Sequence, residues 1–150
     1  MKKEKTVPDQ RVRTITLLLF LFLWTSLVHS QNPFKIPIYF KDKEIWVEVV
    51  RAPEDRAKGL MGRKHLTHGE GMLFIFESED DHGFWMKDTL IPLSIAFIDK
   101  GGRILKITEM KPLTLESHYP PRPILYALEM NKGWFSANGI KAGDILRFSK

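Results

Sequence analysis

The chain has no cysteine among its 150 residues. That excludes disulfides, thiolate metal sites, cysteine nucleophiles and a lipid-modified cysteine behind a leader. It also lacks a phosphate-cradling Gly-x-x-x-x-Gly-Lys-Ser/Thr loop, a dinucleotide fingerprint, Gly-x-Ser-x-Gly and His-Glu-x-x-His. No cofactor is therefore implied, and no standard catalytic motif is present. Ser94, Ser117 and Ser136 stand in no nucleophile signature. Charge of one sign is scarce as well. The net charge is +5, but Lys2, Lys3, Lys5, Arg11 and Arg13 against Glu4 and Asp9 place +3 of it in the first 30 residues. Residues 31–150 carry the remaining +2. A balance this even does not point to nucleic acid, which is bound through clustered cations.

What is present begins with a leader. Arg11 and Arg13 close a basic segment, and Thr14 to Val28 then runs without a charge. That stretch matches the apolar region of a signal peptide and is shorter than the ~20 residues a membrane-spanning helix prefers. Val28-His29-Ser30 offers small residues at a cleavage site, and Gln31-Asn32-Pro33 holds the following chain extended. The reading is a signal peptide over 1–30, cut after Ser30, and a periplasmic or secreted product. The alternative is an uncleaved anchor, since the charge-free stretch reaches Phe34. The membrane would then be a partner only through this leader.

Roughly 120 residues remain, enough for one domain with a real core. Lys35–Phe40 and 44–51 read as a hairpin turning at Lys41-Asp42-Lys43, with Ile45, Val47 and Val49 alternating along one face. Pro37 lacks a ladder donor and places the first strand at an edge. Pro53 to Met61 reads as a short helix with Ala57, Leu60 and Met61 as its buried stripe. Gly71 to Phe76 reads as a strand covered on both faces. Leu93 to Asp99 and Arg103 to Met110 form a hairpin across Lys100-Gly101-Gly102. A proline-rich loop over 112–123, a strand over 124–130, a short helix over 132–138 ended by Gly139 and a last strand over 145–148 complete the order. The expected class is mainly β, a compact antiparallel or mixed sheet or small barrel with two short helices and hairpin-like connections.

The central segments are more specific than their composition. Gly59-Leu60-Met61 with Arg63, Gly71-Met72-Leu73-Phe74-x-Phe76, and Phe84-Trp85-Met86-Lys87-x-Thr89-x-x-Pro92-Leu93 follow one another. Phe97-Ile98-Asp99, Gly102, Leu128-Glu129 and Gly139-Ile140-Lys141-x-Gly143-Asp144 continue the series. In this the chain resembles the family called domain of unknown function 192, over about residues 44 to 148. Two positions depart from the family pattern. Ser94 stands where an acidic residue usually follows Pro-Leu, and Asp88 where Asn is frequent. The resemblance implies a compact, mainly β domain, often exported, and supplies no reaction.

The candidate binding residues are Met61, Arg63, Trp85, Lys87, Thr89 and Glu129. Phe84 to Thr89 puts bulky apolar residues beside a cation, an anion and a hydroxyl, the mixture a shallow pocket needs. Lys87 would hold an anion while Trp85 stacks on the ligand. The bland alternative is a strand end with Trp85 and Met86 in the core. A strand-borne Glu129 needs a partner if buried, and Arg56 or Arg63 could pair with it bidentately. Glu77, Glu79, Asp80 and Asp81 read as a solvated polar connection. His65 and His68, with Met61, Met72 and Met86, are the residues a soft metal such as copper would use, although methionines in apolar runs usually pack. These residues imply a small-ligand-binding or interaction module of the cell envelope, its partner a small molecule or an envelope protein. Two alternatives stand beside it: an enzyme acting on an exported carbohydrate or envelope component, with Glu129 or Asp99 as acid or base, and a copper-binding protein. No catalytic residue is assigned.

Overall fold

The computed structural model describes residues 34–149. Residues 1–30, read above as a signal peptide, lie outside them. The first hairpin pairs β1 (Lys35–Phe40) with β2 (Lys43–Val50), Phe40 facing Lys43 across the Lys41-Asp42 turn. Lys41 takes a positive φ of 53° there. The turn is one residue shorter than expected because Lys43 already joins the ladder. Ile45 and Val47 are buried as the alternation required.

The helix α1 covers Pro53–Lys58 and stops at Gly59, not at Met61. Gly59 adopts φ 46°, a conformation costly for residues with a Cβ. None of the α1 residues is buried. Ala57 is exposed, and of the expected stripe only Leu60, beyond the helix, enters the core.

Next, β3 (Glu70–Asp80) pairs with β2 in parallel. A hairpin cannot make a parallel pair. Residues 51–69 cross back over one face of the sheet instead, burying Leu60 and Leu66 against it. The strand also runs four residues past Phe76, so the acidic stretch expected as a loop is its exposed end, where Glu79 pairs with Lys100 at 3.2 Å.

The hairpin of β4 (Leu93–Ile98) and β5 (Ile104–Met110) forms as expected. Then β6 (Ile124–Asn131) inserts between β3 and β4, antiparallel to both. The helix α2 (Trp134–Ala137) lays Trp134 and Phe135 on the core, and Gly139 follows with φ 66°. Finally β7 (Leu146–Arg147) pairs with the end of β1. It leaves Pro37 on a length of β1 with no second strand beside it, as its missing N–H requires.

The resulting seven strands form one mixed sheet in the order β5-β4-β6-β3-β2-β1-β7. It curls into a half-barrel. At the seam Arg103 bridges Ile145, Leu146 N–H donates to the Gly102 carbonyl at 2.7 Å, and Ile104 N–H donates to Asp144 at 2.9 Å. A Cβ on Gly102 would lie 2.5 Å from the Leu146 oxygen, so the seam closes only over glycine.

Both faces of the sheet are covered. Ile38, Val47, Leu73, Ile98, Leu128 and Phe135 share one core. Leu60, Met72, Phe74, Phe84, Ile95 and Ala127 share the other. Strand alternation explains the division, since neighbours such as Met72 and Leu73 must face opposite ways.

A cleft over a buried carboxyl

The second core is covered by loops, and a cleft opens between them. On β6, Ala127 belongs to this face. Glu129, two residues on, faces the same way. Register fixes its flanks: Met72 of β3 stands on one side and Ile95 of β4 on the other. The same row continues to Glu48 of β2 and Thr108 of β5.

Glu129 is 5% exposed, and its carboxyl makes no hydrogen bond or ion pair among the described residues. Ionising it there would put an uncompensated charge among apolar side chains. Burial alone raises its pKa to about 8, so it holds its proton at neutral pH.

Glu129 lies on a cleft of about 210 Å³. Phe74, Phe76, Phe84 and Trp85 supply the aromatic wall. Phe84 stands edge-on to both Phe74 and Phe76, with centroids 5.1 and 6.2 Å away. The exposed helix α1 forms a lip beside this wall with Arg56, Ala57 and Lys58, and Met61 and Thr89 also line the cleft. Thr89 is buried and donates its hydroxyl to the Lys87 carbonyl at 3.2 Å, which leaves the oxygen free to accept.

Of the six sequence candidates, Met61, Trp85, Thr89 and Glu129 meet at this cleft. Arg63 and Lys87 do not line it. Arg63 pairs with Glu48 instead, Nη1 at 2.6 Å from Oε1 and Nη2 on Oε2, and this partner raises the guanidinium pKa. Glu48 stands two strands from Glu129 along the row, about 10 Å at the usual strand spacing. Arg56 donates to the backbone oxygens of Arg51 and Ile75 and lies 5.1 Å from the Phe76 ring centroid. The expected pairing of either arginine with Glu129 is therefore not formed. Lys87 places its ammonium 5.4 Å from the ring centroid of Trp85, whose side chain is exposed rather than in the core.

The other candidates lie apart. Met72 and Met86 are core residues, while His65 and His68 are exposed. Asp99 accepts from the Gly101 and Arg103 amides and pairs with Arg122 at 3.0 Å, which makes it a turn-holding residue. Sequence reasoning missed the share of Phe74, Phe76 and Phe84 in the wall. The signal for two of them was strand parity, because Met72, Phe74 and Phe76 must share a face.

The model of the family DUF192, described as "Uncharacterized ACR", matches residues 37–148. The chain belongs to this family. A DUF192 domain thus accounts for the curled sheet from Pro37, within β1, through β7. The chain is similar to a solved Sinorhizobium meliloti protein described as a candidate transcription regulator, with 30% identity, 77% of this chain and 94% of that one covered, and a TM-score of 0.74. It is similar also to a solved protein of unknown function from Novosphingobium aromaticivorans, with 31% identity, 79% and 89% covered, and a TM-score of 0.73. No curated protein matches it.

Two departures from the DUF192 pattern find a physical reading. Asp88 adopts φ 52°, and its carbonyl accepts from Gly62 N–H at 2.8 Å. Asp and Asn tolerate that left-handed conformation better than most residues, so either serves the turn. Ser94 is buried, and its hydroxyl oxygen accepts from Gly133 N–H at 2.9 Å, tying β4 to the start of α2.

Proposed function

We propose that this protein is a small-ligand-binding domain of the cell envelope that takes its ligand in the cleft over Glu129. The observation that carries the reading is an unpartnered, buried carboxyl on the lining of an aromatic-walled opening. Burying such a group without a partner destabilises a fold, and a bound ligand would offset that cost. At about 210 Å³ the cleft is smaller than the ~300 Å³ typical of drug-sized ligands. It suits a small molecule or the head of a larger one. The charge-free run behind a basic segment supports export and cleavage after Ser30. The cleft brings one carboxyl, whereas glycoside hydrolysis uses a pair, so binding is favoured over catalysis. The regulator description of the Sinorhizobium protein gains no support from a domain carrying +2.

The test uses native mass spectrometry on protein released from the host envelope without denaturation. Ala57→Trp fills the lip without touching either core. The parent should retain a small-molecule mass that the variant lacks, and the processed chain should begin at Gln31. A parent that retains no small-molecule mass, or a variant that retains the same one, overturns the cleft, and a chain beginning at Met1 overturns cleavage.

A further inference from the structure

Three features of the cleft bear on what enters it. First, two of its four wall rings already hold cations of the chain itself: the Arg56 guanidinium is 5.1 Å from the Phe76 centroid and the Lys87 ammonium 5.4 Å from that of Trp85. These ring faces attract positive charge and are already taken, since Phe76 also stacks on His82 with centroids 3.5 Å apart, so an entering cation is left to Glu129. Second, the acid among the lining residues is Glu129 alone, and its lateral neighbours Met72 and Ile95 offer it neither proton nor charge. Third, the cations among the lining residues, Arg56 and Lys58, both stand on α1 at the lip.

A carboxyl within that only a cation would ionise, and positive charge at the mouth, sort a molecule by polarity. We infer that the cleft takes a small zwitterion, its ammonium group against Glu129, its anionic end toward Arg56 and Lys58. This rests on the cleft being a ligand site. A neutral polyol would satisfy Glu129 as a hydrogen-bond partner but would offer no counter-charge to Arg56 and Lys58. A simple amine would enter against their repulsion. With an ammonium beside it, Glu129 surrenders its proton to solvent and becomes the counter-ion.

That proton is the readout. Glutamate carboxyls are labelled with carbon-13, and the titration of Glu129 is followed by NMR with 4-aminobutanoate, methylammonium or butane-1,4-diol at equal concentrations. The expected result is a fall of at least about one pH unit in the Glu129 midpoint at saturating 4-aminobutanoate, which equals at least tenfold preference for the ionised form. Methylammonium gives a smaller fall, and the diol gives none. Arg56→Gln should weaken 4-aminobutanoate about tenfold while leaving methylammonium unchanged. A diol that perturbs the cleft while neither amine lowers the midpoint overturns the ammonium assignment and leaves the ligand site standing. A fall with methylammonium alone overturns the anionic end. No response to any probe overturns the ligand site itself.

Discussion

Replacing Glu129 by Gln keeps the side chain's shape and removes its proton equilibrium. In the unfolded chain this carboxyl titrates near its ordinary 4.5, and in the fold burial raises it to about 8. Because the folded value is the higher one, the stability it permits is intact below pH 4.5 and is lost as pH rises toward 8. Each unit between those limits costs about 1.4 kcal/mol. At pH 7 the parent has lost about 3 kcal/mol, and above pH 8 the loss levels off near 5 kcal/mol. The variant has no such slope. Urea unfolding of both proteins at half-unit steps from pH 4.5 to 8.5 gives the comparison, and subtracting one curve from the other cancels every other titrating group. Glu129→Gln should gain on the parent steadily up to about pH 8 and then hold its lead. A gap that stays constant with pH would refute the reasoning, for it would mean that the carboxyl is solvated or partnered.

Arg63→Ala leaves Glu48 buried without its fork of donors, and should lower unfolding stability by roughly 1–3 kcal/mol. The double variant Glu48→Gln with Arg63→Met should recover much of that in the same urea assay. Gly71→Ala places a Cβ 2.2 Å from Met130 Sδ and 2.6 Å from the Glu129 carbonyl oxygen, and a melting curve should show a loss of about 2–3 kcal/mol from overpacking. Ser94→Ala removes the acceptor of the Gly133 amide and should cost about 1 kcal/mol; an unchanged melting temperature would show that water replaces it.

Much of the fold was legible because local rules and tertiary packing agree. Both hairpins announced themselves through alternation and turn residues, and Pro37 located an edge. What was not legible was long-range order. Nothing near Glu70 states that its strand runs parallel to β2, or that β6 will insert between β3 and β4, because those choices are made by which faces can be covered. The helix α1 shows the same limit: its apolar spacing read as a buried stripe, yet its residues line an opening, and spacing alone does not distinguish a core from a cleft. The site was half legible for a related reason. Glu129 stood out as an acid within a strand, but its missing partner depends on Arg63 choosing Glu48 across three-dimensional space. The aromatic wall was hidden because a phenylalanine in a strand looks alike whether it meets another side chain or empty volume.

The half-barrel's seam has a bearing on the order in which this molecule comes into being. Its two margins are spanned by residues 143–147, which the ribosome assembles after the six other strands of the sheet. Until they emerge, β1 lacks its second neighbour and the Gly102 corner has nothing to clasp. A nascent chain can gather its middle strands but cannot shut, and deleting residues 143–147 would unfasten both borders at once.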